Sequence, residues 1–73
     1  MSYESHAETA RKFAKQYCQM GAHTAAAREY AIARMYYDVA GDWYMAAHCE
    51  GAYKAELRQI RPSAPVNISA IVD

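Results

Sequence analysis

The segment from Thr24 to Ala40, TAAAREYAIARMYYDVA, has the spacing of a helix but carries two apolar stripes. Ala26, Tyr30, Ala33 and Tyr37 recur three or four residues apart along one side. Ile32, Met35, Tyr36 and Val39 gather on another side, well rotated around the axis. A surface helix of a monomer shows a single apolar stripe, whereas a helix apolar on several sides is buried. The segment therefore needs a neighbour on each flank, from its own chain or from a second copy.

Length sharpens that need. At 73 residues the chain is one domain at most, near the lower limit for a self-sufficient core. Small scaffolds of this size rely on a disulfide, a metal, tight packing or oligomerisation. Hydrophobic residues make up 53% of the chain, but many are alanines that bury little area each, so association with another chain is expected. Cys18 and Cys49 both fall at apolar positions of helical patterns and read as buried thiols rather than a staple.

The rest of the chain supplies candidate neighbours. Ser5 to Glu8 has the S-x-x-E form of a capping box, ahead of a helix that runs to about Met20. Ala7, Ala10, Phe13, Ala14, Tyr17 and Met20 form its apolar stripe, and Glu8 and Lys12 a favourable i, i+4 pair. Gly21 suits the left-handed residue that ends a helix. The link Gly21-Ala22-His23 is too short for anything but an antiparallel hairpin, with Thr24 as the cap of the central helix. Ala26, Tyr30, Ala33 and Tyr37 are expected to pack on Ala10, Phe13, Ala14 and Tyr17.

After Gly41 and Asp42 the helical period resumes from Trp43 to Ile60. Ala46, Cys49, Tyr53, Leu57 and Ile60 share a face, while Glu50, Lys54 and Arg58 form a solvated ladder. Two readings stand: a break at Gly41-Asp42, which is favoured, or one continuous helix from Thr24 that tolerates the glycine at a cost of about 1 kcal/mol. Either way the fold class is all-α: an antiparallel helical hairpin over residues 1–61 with a third helix or a continuation of the second. Pro62 closes the last helix, and 62–73 reads as an extended or disordered tail. Val66, Ile68, Ile71 and Val72 there are able to dock on the helices or on a partner's edge strand.

Charge and motif content exclude several activities. Eight basic and eight acidic residues leave no net charge, against the basic excess that phosphate neutralisation needs. No segment approaches the roughly 20 apolar residues of a membrane span. The opening MSYESHAETARK lacks the order of a signal peptide, so a cytoplasmic protein is expected. Among His6, His23, His48, Cys18, Cys49, Asp38 and Asp42 no pair has i, i+4 or C-x2-C spacing, so no metal and no cofactor is expected. His48 and Cys49, being adjacent, point about 100° apart on a helix. Paired carboxylates, a Gly-rich phosphate loop and G-x-S-x-G are all missing, so catalytic residues are not expected either. The connections also lack the turn of a DNA-binding helix-turn-helix.

Seven tyrosines are the unusual feature. They suit three roles: filling an alanine-lined groove between helices, forming a protein-recognition surface, or stacking bases beside arginine. The last would use Arg28, Tyr30, Arg34 and Tyr37 as an aromatic-basic strip. The recognition reading places a protein interface at Ile32, Met35, Tyr36, Val39 and Trp43 and predicts a homodimer or small oligomer.

Two resemblances add to this reading. Tyr17-x3-Gly21-x4-Ala26 recurs as Tyr37-x3-Gly41-x4-Ala46, with Asp42 and Trp43 after the second glycine. From Tyr30 to Ala46 the pattern resembles the turn of a tetratricopeptide hairpin, in which tyrosine and alanine interlock two helices around a glycine turn. Departures are the 20-residue spacing rather than 34, and Glu50 and Tyr53 where that family prefers an aromatic and an alanine. The likeness implies peptide or protein binding. Through its compact opening MSYESHAETARKFAKQYCQMG, its length and its lack of catalytic motifs, the chain also resembles the short early proteins of lambdoid bacteriophages. The relevant ones are encoded between the recombination and excision genes. That resemblance implies a non-enzymatic regulator of host physiology or of the lysis–lysogeny choice, acting through contacts with host or phage proteins. A nucleic-acid accessory protein and a purely structural helical adaptor are the alternatives.

Overall fold

The structure, a computed structural model, describes residues 2–60; the tail read at 62–73 and the stop at Pro62 lie outside them. Three helices follow one another: α1 from Tyr3–Gln19, α2 from His23–Ala40 and α3 from Trp43–Gln59. The chain is all-α, a helical hairpin extended by a third helix. The break at Gly41-Asp42 is real, and the continuous-helix alternative falls.

Both turns are closed by the same backbone device. At the first, the Gly21 N–H donates to the Cys18 carbonyl and the Ala22 N–H to the Tyr17 carbonyl. At the second, Gly41 donates to Asp38 and Asp42 to Tyr37. This pairing, one bond spanning five residues outside one spanning three, is the Schellman motif, and it needs a left-handed residue at its glycine. Gly21 has φ of 78° and Gly41 of 81°. The recurring Tyr-x3-Gly thus marks a carbonyl and the left-handed residue that closes the helix over it.

Helix starts depart from the sequence reading. α1 begins two residues ahead of the S-x-x-E signal: Ser2 is the cap, its Oγ accepting from the Ser5 N–H at 3.1 Å. Ser5 lies one turn inside. Glu8 turns to Arg11, at 3.0 Å, rather than to Lys12. Thr24 is not the cap of α2 either. With Ala22 taken up in closing α1, the next helix starts at once, and Ala22 occupies the cap position without any side-chain bond. Asp42 does cap α3, its Oδ1 accepting from the Met45 N–H at 3.1 Å.

α1 and α3 both pack on α2 and scarcely touch each other. They sit on two edges of a single stripe. Tyr36 lies against Tyr3 and His6 of α1, with ring centroids 6.2 and 5.3 Å apart. On the other edge Arg34 reaches Glu50 of α3 at 3.1 Å. Between them lies a core of Ala7, Ala10, Ala14, Tyr30, Ala33, Tyr37, Ala46 and Cys49. Ala26 and Ala27 are buried as well. Two flanking helices share one stripe because its alanines let both backbones approach. Phe13, expected in the core, is 48% exposed: it lies about 100° round the helix from buried Ala14, off the packed face, and Tyr17 is half-buried. No helix among the described residues is long and apolar enough to cross a membrane.

Candidate functional site: an apolar groove and a three-helix polar clasp

The second stripe of α2 is left largely uncovered. Met35 is 49% exposed and Val39 58%, while Ile32 and Tyr36 are partly buried. Ile32 and Met35 form one wall of a groove of about 490 Å³, continued along α2 by Ala27, Arg28 and Ala31. Tyr53, Leu57 and Ile60 of α3 form the opposite wall. Arg28 at its edge makes no ion pair among the described residues. Val39 stands farther along α2. Trp43, 76% exposed, lies beyond the Gly41 turn, in a separate polar cleft with Arg34, Asp38 and Glu50. Of the five residues expected to form one interface, two share the groove, Tyr36 leans on α1, and Val39 and Trp43 extend the apolar surface towards the turn.

The structure separates the aromatic and basic parts of the strip. Tyr30 and Tyr37 are buried, which denies their rings to a base. Arg34 is held by Asp38 at 2.8 Å and by Glu50. The Tyr37 hydroxyl donates to Glu8 Oε2 at 2.6 Å. That bond, with Arg11 beside it, holds the Glu8 carboxyl below its usual range. Burial, reinforced by the bond to Glu8, pushes the Tyr37 phenol up to about 12.

At the Gly21 end three side chains from three helices converge. Cys18 Sγ, near the end of α1, donates to Glu56 Oε2 at 3.2 Å. His23 Nδ1, at the first position of α2, lies 2.7 Å from Glu56 Oε1. Glu56 of α3 is the one buried charged residue among those described, 7% exposed. A carboxylate out of water is costly unless paired, and here each oxygen has a partner. The contact with His23 is an ion pair when the ring carries both protons and a neutral N–H···O bond otherwise. The three donor atoms lie within 4.8 Å of one another.

Of this clasp, sequence reasoning weighed Cys18 and His23 together as ligands, set them aside on spacing, and missed Glu56. A signal was present. Glu56 falls seven residues after Cys49, two turns along the same buried face. Cys18 and His23 bracket a glycine turn that folds their helices side by side. The chemistry of the clasp is not that of a thiol nucleophile. Such a thiol needs a base and an environment favouring the thiolate. Here the carboxylate stands between thiol and imidazole, and its hydrogen bond, together with burial, raises the Cys18 thiol above its ordinary value. Cys49 is likewise pushed up by burial.

The chain matches no protein-family model, no curated protein and no solved structure.

Proposed function

We propose that this chain is a non-enzymatic, protein-binding regulator that acts as a homodimer. The observation that supports the reading is the exposed Met35 and Val39 surface, continued by the partly buried Ile32 into the α2–α3 groove. Exposed apolar surface of this kind marks an interaction site. A second copy suits it by chemistry and by symmetry. Two α2 helices crossed antiparallel, midway between Met35 and Tyr36, set Ile32 opposite Val39 of the other copy. The pairing is isologous, so each copy covers the same surface of the other. The Tyr-x3-Gly hairpin, similar to a tetratricopeptide turn, fits a binding role. The resemblance to lambdoid phage early proteins gives that role a setting, the infected cell, with a host or phage protein on the outer surfaces of the dimer.

Light scattering over a concentration series tests the dimer with the native chain and Met35→Glu. The half-exposed Met35 is a cleaner probe than Tyr36, whose ring packs on α1. A native dimer and a monomeric Met35→Glu of unchanged helicity are expected. A native chain that stays monomeric at the highest concentration overturns the reading.

A further inference from the structure

We propose that Cys18, His23 and Glu56 form a binding site for one zinc-class transition-metal ion per chain. Sγ, Nδ1 and a carboxylate oxygen already converge, and each comes from a different helix. Thiolate, imidazole and carboxylate together are the donor set of zinc and cobalt; calcium and magnesium take oxygen ligands almost alone. Three protein ligands with a fourth position for water make an open tetrahedral site.

The geometry needs little change. Glu56 Oε2 lies 3.2 Å from Cys18 Sγ and Glu56 Oε1 2.7 Å from His23 Nδ1, contacts now bridged by hydrogens, and one ligand atom from each of the three residues lies within 4.8 Å of the other two. Around a tetrahedral metal the ligand atoms stand about 3.3–3.8 Å apart, given bonds of about 2.0–2.3 Å. Turning one Glu56 oxygen to the metal, with side-chain shifts of about 1 Å, therefore replaces the bridging protons with the ion. The Cys18 thiol proton leaves to solvent, and His23 binds through the Nδ1 lone pair with its remaining proton on Nε2. A second observation points the same way. The clasp joins α1 to α3, which otherwise scarcely meet. It does so with a buried carboxylate on a helix face where an apolar residue would pack at less cost.

Cobalt(II), titrated into the full-length reduced chain, is the probe. The expected result is a thiolate-to-cobalt charge-transfer band in the near ultraviolet, saturating at one ion per chain and displaced by zinc. Cys49→Ser keeps that band and Cys18→Ser abolishes it. Glu56→Gln, checked for retained helicity, weakens affinity by at least about tenfold, the scale of losing even an outer partner of a metal site. No band in the native chain, a band that survives Cys18→Ser, or one ion shared between two chains overturns the site. Because the readout is the spectrum, its failure is separate from any failure of the dimer.

Discussion

The two turns of this molecule are built alike and used differently. Each places a tyrosine carbonyl under a left-handed glycine, and each hands the chain to a helix whose first turn buries an alanine, Ala26 after the first and Ala46 after the second. Beside the first turn Cys18 and His23 clasp Glu56 inward, with Met20 as the exposed apolar side chain. Around the second the side chains face outward and apolar, with Val39, Trp43 and Tyr44 exposed. The backbone device sets where helices reverse; the residues flanking it decide whether that end is stitched shut or offered to another molecule.

The two tyrosines of the device give the sharpest way to break the likeness. Tyr37 is 1% exposed and Tyr17 only half-buried. Tyr37→Ala is expected to cost about 3–5 kcal/mol, the range for truncating a buried aromatic, enough to unfold so small a chain. Tyr17→Ala should cost less than half of that. Thermal melts of the two variants make the comparison, and equal losses would mean that the half-buried Tyr17 ring supports its turn as much as the buried Tyr37 ring does.

Alkaline titration gives the next largest effect. The Tyr37 phenol is raised from an ordinary value of 10 to about 12 when folded. Between those values the folded chain therefore holds a proton that the unfolded chain has released. Its stabilisation is complete below pH 10 and is lost as pH rises towards 12, by something of the order of 2 kcal/mol. Urea melts at successive pH values read this out. Tyr37→Phe should be less stable at neutral pH and should flatten the alkaline fall.

The smallest effect separates the caps. Asp42→Ala removes a side-chain cap and is expected to cost about 1 kcal/mol. Ala22→Ser supplies the cap that α2 lacks and should gain about 0.5–1 kcal/mol. Opposite shifts in melting temperature are the expected outcome.

What the sequence made legible was local and periodic. Gly21, Gly41 and Asp42 announce themselves because a left-handed residue or a capping carboxylate is specified within a few positions. The stripe of Ala26, Tyr30, Ala33 and Tyr37 follows from the period alone, and so does its match to Ala10 and Ala14. Ser2 and Thr24 show the limit of cap signals. Ser2 and Ser5 compete at the start of α1, whereas closure of α1 through Ala22 starts α2 before Thr24 is reached. Phe13 shows the limit of hydrophobicity, since its place one residue before Ala14 turns the ring off the face that Ala7, Ala10 and Ala14 bury. Glu56 was the hardest to find. Its role depends on where α3 lands relative to the far end of α1, 38 positions from Cys18, and periodicity carries no such information.

That span bears on how the molecule comes together. With α1 meeting α2, α2 meeting α3, and little else, nearly every contact joins helices that are neighbours along the chain. Such local topologies fold in about microseconds to milliseconds, since little loop-closure entropy must be lost before contacts form. Each helix can settle on its predecessor as soon as it is made, leaving the approach of Glu56 to Cys18 and His23 as the closing event that tells a finished chain from a partial one.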